Sequence, residues 1–160
     1  MTIENIKELM DGVDLGALLP DLGSIEYYVA LLARLALLAG PVIMLALGLH
    51  YFLLAPKEAN YTTGYRFRWG MASVESWQCT QQVAGAIWSL LGFGLLVAMS
   101  FTVANLREME MLAMLLLAAK RLLLQAALAV GSRLLINLIV FARYDRKGKR
   151  RLTWRELHEA

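Results

Sequence analysis

Between Asn60 and Gly85 the chain gathers the side chains best suited to recognition: Asn60, then Gly64, Tyr65 and Arg66 in a row, followed by Arg68, Met71, Ser73, Glu75, Trp77, Gln81 and Gly85. A glycine allows a tight turn close to a membrane, and two arginines two residues apart each offer a planar fork of donors matched to phosphate or carboxylate. The chemistry on offer is anion binding. Basic residues in a loop also decide on which side of a membrane that loop stays, so a topogenic role for Arg66 and Arg68 stands beside a specific anion or lipid site. A second polar pair, Arg133 and Asn137, lies one helical turn apart within an apolar run and shares a helix face. A cation in hydrocarbon needs a partner, and carbonyls released by Pro41, a neighbouring protomer and a lipid phosphate are the candidates. Structural pairing is favoured here over ligand binding.

Catalytic signatures are missing. There is no glycine-rich phosphate loop followed by Lys-Ser/Thr, no paired-His metal motif and no Gly-x-Ser-x-Gly elbow. His50 and His158 lie far apart without an evident third ligand, and the single Cys79 has no second thiol. Asp145, Thr153 and Glu156 have the spacing of a calcium loop, but Lys147 and Lys149 place ammonium groups where oxygen ligands must stand. No metal, no cofactor and no enzymatic activity are expected.

The elements that must carry these residues are set by the solvent. Of 160 residues 59% are hydrophobic, and the mean hydropathy is +0.53, so lipid is the expected surrounding. Runs of about 20 apolar residues cross a hydrocarbon core of about 30 Å. Three such runs occur, at about 27–54, 83–104 and 122–141. Pro41 cannot donate to the carbonyl of Leu37, which predicts a kink in the first run, and Gly40 beside it lets another helix approach. Ser73 is a natural N-cap for the second helix, with Glu75 near its positive end. Trp77 suits an interfacial anchor and Trp88 a packed ring. Gly85, Ser89 and Gly92 form a smooth groove for a neighbouring helix. The stretch from Met109 to Ala119 is too short to cross alone; it is either a surface helix or a continuation of the third helix past the lipid.

Charge orients the bundle. Lys57, Arg66 and Arg68 lie in the loop after the first span, and Arg143, Arg146, Lys147, Lys149, Arg150, Arg151 and Arg155 lie in the tail, both on one side if there are three crossings. Retention of basic segments in the cytoplasm then places the N-terminus outside. The fold class predicted is an all-α integral membrane protein of three transmembrane helices. Residues 1–26 form an extracytoplasmic amphipathic segment with Ile3, Ile6, Met10 and Val13 on one helix face; 27–142 form the membrane domain; 143–160 form a basic cytoplasmic tail that suits anionic inner-leaflet lipid. Thr153 and Glu156 read as a capping box for a short terminal helix. Arg34 and Arg121 are expected to snorkel to headgroups at the outer end. The spans hold no Asp or Glu, which argues against a proton-coupled cation carrier.

The stretch from Asn60 to Gly85 resembles the signature of the SdpI family of small bacterial membrane proteins: a Gly-aromatic-Arg turn, a basic residue, Met-x-Ser-x-Glu-x-Trp, and a glycine in the following membrane helix. The resemblance implies immunity against a secreted membrane-active peptide toxin, together with recruitment of a regulatory protein, a transcriptional repressor, to the membrane. This chain has only one span before the motif, where the family's namesake has a longer multi-span half. The expected function is therefore binding, in immunity or signalling at a bacterial inner membrane. An anion or lipid-headgroup conduit around Arg133 and Arg66, or an accessory subunit of a membrane complex, are the alternatives. Self-association through Gly85, Ser89 and Gly92, or through Ala33, Ala36 and Gly40, is expected, and nucleic acid is not an expected partner.

Overall fold

A computed structural model describes residues 22–106 and 109–151. They form three helices, α1 (Leu22–Leu53), α2 (Val74–Asn105) and α3 (Met111–Arg143), of 32, 32 and 33 residues. At 1.5 Å per residue each is about 48 Å long, more than the roughly 30 Å of a hydrocarbon core. All three are long and apolar enough to cross a membrane. Their outward faces carry large exposed apolar side chains, Leu32, Leu90, Phe101, Leu116 and Leu123 among them, as lipid contact demands. The expected N-terminal amphipathic segment and the Thr153 capping box lie outside the described residues.

The helices outrun the apolar runs that announce them. Residues 74–82 are already α2, because Ser73 caps the helix there and the backbone ladder, once started, continues into lipid. On the other side of the bundle, 111–121 is the first third of α3 and not a separate surface helix. Lys120 and Arg121 do not interrupt it, since both residue types favour helix as strongly as leucine does.

Glycines set the closest approach. A Cβ on Gly85 would come within 2.7 Å of the Phe52 amide nitrogen, and one on Gly92 within 2.5 Å of that of Leu45. Gly48 on α1 is likewise pressed against Ser89 on α2. The groove of Gly85, Ser89 and Gly92 is thus filled by the chain's own α1, which corrects its assignment to self-association. Small residues on α2 mark a groove from sequence but do not say whose helix occupies it.

Apolar packing then falls into two groups. Leu37, Leu95, Met99, Leu106, Met114 and Ala118 fill the half near the α2–α3 turn, and Tyr65, Ala84 and Ile136 fill the half near the α1–α2 loop.

Between the two groups lies the repair of α1. The helix continues through buried Pro41, which leaves the Leu37 carbonyl without its usual donor. Gln125 of α3 supplies one, its Nε2 donating to Leu37 O at 2.9 Å. Gly40 is what permits this approach, since a Cβ there would strike the Gln125 side chain. The freed carbonyl therefore goes to Gln125 and not to Arg133. Gln125→Leu should destabilise the bundle by about 1 kcal/mol, the ordinary worth of such a bond. Pro41→Ala restores an internal donor for Leu37 O, so the double variant Pro41→Ala/Gln125→Leu should lose less than the sum of the two single changes. Unfolding in detergent or bilayer reads the cycle; strict additivity would show that the two residues are not coupled.

Candidate functional site

The loop joining α1 to α2 is folded by its own short-range chemistry. Asn60 Oδ1 accepts from the Thr62 and Thr63 amides at 3.1 and 2.9 Å, an Asx turn that reverses the chain. Gly64 follows at φ +99°, a conformation that side chains disfavour, and its Cα faces the Trp77 ring at a distance where a Cβ would lie 2.8 Å from the indole. Arg66 Nη1 then donates back to the Tyr61 carbonyl at 2.6 Å.

This turn is clamped to α2. Gln81 accepts from the Tyr65 amide at 2.7 Å and donates to the Tyr65 carbonyl at 2.8 Å, so one buried amide side chain pairs both backbone groups of one residue. An unpaired backbone group at this depth would cost about 1–3 kcal/mol, and Gln81 removes two such penalties together. Trp77 Nε1 donates to the Pro56 carbonyl at 2.7 Å and Gln78 Nε2 to that of Lys57 at 3.2 Å. Trp77 is 0% exposed, not an interfacial anchor as its position suggested. Its indole is the floor on which the loop rests.

Tyr65 carries the loop on to α3. Its hydroxyl donates to Asn137 Oδ1 at 2.9 Å and contacts the Arg133 carbonyl at 3.5 Å. Its ring stands edge-on to Tyr51 and Trp88, with centroids 6.2 and 5.6 Å away, while Trp88 Nε1 donates to Ser132 Oγ at 3.1 Å. Burial pushes the Tyr65 phenol above its ordinary pKa, against the opposing pull of Arg133, so it stays protonated and able to donate at neutral pH. Arg133 itself is exposed on the monomer. It is therefore not buried between this chain's own helices, as the reading of a buried cation had it, and it lies past the midpoint of α3, towards the basic end.

The start of the basic tail belongs to the same assembly. Ser73 caps α2, its Oγ accepting from the Ser76 amide at 3.1 Å and donating to the Gly148 carbonyl at 2.7 Å. Asp145 Oδ1 accepts from the Lys147 and Lys149 amides, both at 2.8 Å, and Gly148 at φ +73° closes the turn against Ser73. Arg151 stacks over Phe141 at 4.7 Å. Residues 144–151 are a docked hairpin-like turn, with Tyr144 bridged to Arg150. The loop and the tail thus share one end of the bundle.

The structure brings together Asn60, Gly64, Tyr65, Ser73, Trp77, Gln81 and Asn137, and turns Arg66, Arg68 and Glu75 outward. Met71 is half-buried, its amide bonded to the Phe67 carbonyl, and Gly85 serves the α1–α2 contact. Sequence reasoning missed the parts played by Tyr51, Pro56, Ser132 and Gly148. Only Gly148, a glycine inside a charged turn, left a signal there.

Among the described residues no three His, Cys, Asp or Glu side chains converge as a metal site. The cleft between loop and helices, lined by Tyr51, Pro56, Lys57, Gln78 and Gln82, holds about 130 Å³, short of the roughly 300–1,000 Å³ of small-molecule pockets. Arg66 and Arg68 stand exposed on the loop at this end. Gln81→Ala should leave the helices intact but release the loop: hydrogen exchange at the Tyr65 amide should rise by at least tenfold, the equivalent of about 1.4 kcal/mol. Arg68→Ala should leave that rate unchanged, and equal rates in Gln81→Ala and the wild type would dismiss the clamp.

The model of the SdpI/YfhL protein family matches residues 57–141, which take in the loop, α2 and nearly all of α3 and begin just after α1. No match is found among curated proteins or among solved structures. The match covers more than half of the 160 residues and includes every side chain that clamps the loop. The chain belongs to the SdpI/YfhL protein family.

Proposed function

We propose that this membrane protein acts by binding rather than by chemistry, in immunity or signalling against a membrane-active peptide, with the loop-bearing end in the cytoplasm of a bacterial cell. The observation that carries the reading is the contrast within the family stretch: Gly64, Tyr65, Trp77 and Gln81 are spent on holding the loop rigid, while Arg66 and Arg68 stay exposed upon it. A fixed loop that displays cations is organised for a partner, because ordering before contact lowers the entropic cost of binding. The partner is a peptide toxin or a regulatory protein, and the docked basic turn adjoining the loop suits anionic lipid of the inner leaflet. Self-association, favoured by three helices that bury little surface in lipid, would use outward faces, since the α2 groove is occupied.

Orientation is open to direct test. With Cys79→Ser as background, a membrane-impermeant thiol reagent added to intact cells should label Met109→Cys, at the α2–α3 turn, and spare Thr62→Cys in the loop. The reverse pattern would invert the topology.

The role itself is tested by survival. Sensitive bacteria expressing the chain should survive at least one of a panel of secreted membrane-active peptides better than cells without it. Arg66→Ala should remove most of that protection and Lys57→Ala little, because the Arg66 guanidinium is held against the Tyr61 carbonyl in a fixed geometry. No protection from a correctly inserted chain would contradict immunity; equal losses in the two variants would make the loop merely topogenic.

A further inference from the structure

Gln125 uses only half of its side chain to repair α1. Its Nε2 donates to the Leu37 carbonyl, which can only accept, so the orientation of the amide is settled and Oε1 points away from that bond. The residue is 8% exposed, yet among the described residues no donor meets Oε1, and the atom is not sealed from its surroundings. In hydrocarbon an amide oxygen without a donor is costly.

A lateral groove gives this atom its outlet. About 230 Å³ lies between α1 and α3, bounded by Gly40, Met44, Leu122, Gln125, Ala126 and Ala129, with buried Leu95 of α2 beneath. Oε1 rests against Gly40, which has no Cβ to crowd it. Because Gly40, Leu122 and Ala126 are exposed, the groove opens sideways to lipid. Gly40 and Gln125 each stand within about 4 Å of the midpoint of their helix, so the site lies near the bilayer centre. No ionisable side chain lines it.

Size and chemistry define the guest. A helix is about 10 Å across, and even two turns of it displace several times this volume, so neither a peptide helix nor a second copy settles inside. An apolar cavity of about 150 Å³ holds benzene, so one aromatic ring fits. The ring must bring a donor, since Oε1 only accepts, and it must be uncharged at this depth. A phenol meets both conditions at neutral pH, and the Met44 thioether is suited to a ring edge. We propose that the groove between α1 and α3 binds a lipid-soluble phenol, with its hydroxyl donating to Gln125 Oε1 and its apolar tail running out into the bilayer. This site is separate from the loop and stands whether or not the immunity reading does.

Solid-state NMR of the full chain in phospholipid bilayers tests the assignment, with para-hexylphenol and its methyl ether as probes that differ only in the donor. The phenol should shift the Gln125 side-chain carbonyl saturably and bind about fivefold more tightly than the ether, as one net hydrogen bond implies. Ala126→Leu, at an exposed position, should weaken both probes at least tenfold by filling the groove. In Pro41→Ala/Gln125→Leu the Leu37 carbonyl regains an internal donor, and perturbation of the Ala129 amide should show phenol and ether binding alike. Equal affinities in the wild type, or a preference for the phenol that survives in the double variant, would overturn the proposal. A Gln125 shift that follows the protein-to-lipid ratio with no phenol present would give the groove to a second copy and overturn it too.

Discussion

Inside hydrocarbon a backbone amide or carbonyl has no water to turn to, and this structure is organised around that constraint. Pro41 breaks the α1 ladder at one carbonyl, and Gln125 closes it from α3. The bond therefore does two jobs at once. It makes a proline tolerable in a membrane helix, and it fixes the height of α3 against α1. Glycines on the α1–α2 face bring those two helices close, so α3 is the helix whose placement depends most on a polar contact.

The same device appears a second time at the other end, where a loop and not a helix needs its backbone paired. Gln81 engages both the amide and the carbonyl of Tyr65, and Tyr65 in turn reaches Asn137 on α3. The loop thereby links α2 to α3 and becomes part of the bundle. Rigidity at this end is what gives the outward-facing Arg66 and Arg68 a defined geometry. With Ser73 holding the Gly148 turn alongside, two segments that would otherwise be independent connections form a single polar cap.

Legibility in the sequence followed the reach of each signal. Helix content, the Ser73 cap, the tight turn at Gly64 and the orphan carbonyl of Leu37 are local, and each is encoded within a few residues. What helix fills the Gly85 and Gly92 groove is a tertiary question, and small residues look the same whether their partner is in cis or in trans. Trp77 shows the limit from another side, since a tryptophan near a membrane boundary suits both a lipid anchor and a buried floor, and only the Pro56 carbonyl decides between them. Arg133 was read as a buried cation from its apolar neighbours alone, whereas its side chain is exposed on the monomer.

The central claim is that the α1–α2 loop is a fixed part of the bundle in a bilayer. Electron–electron double resonance between spin labels at Thr62, on the loop, and Ala142, on the exposed face near the end of α3, measures that most directly. With Cys79 replaced and the protein in lipid nanodiscs, the account predicts one narrow distance distribution that broadens when Gln81 is changed to Ala. A broad distribution in the protein with Gln81 intact, no narrower than in the Ala variant, would show a loop that merely connects two helices and would contradict it.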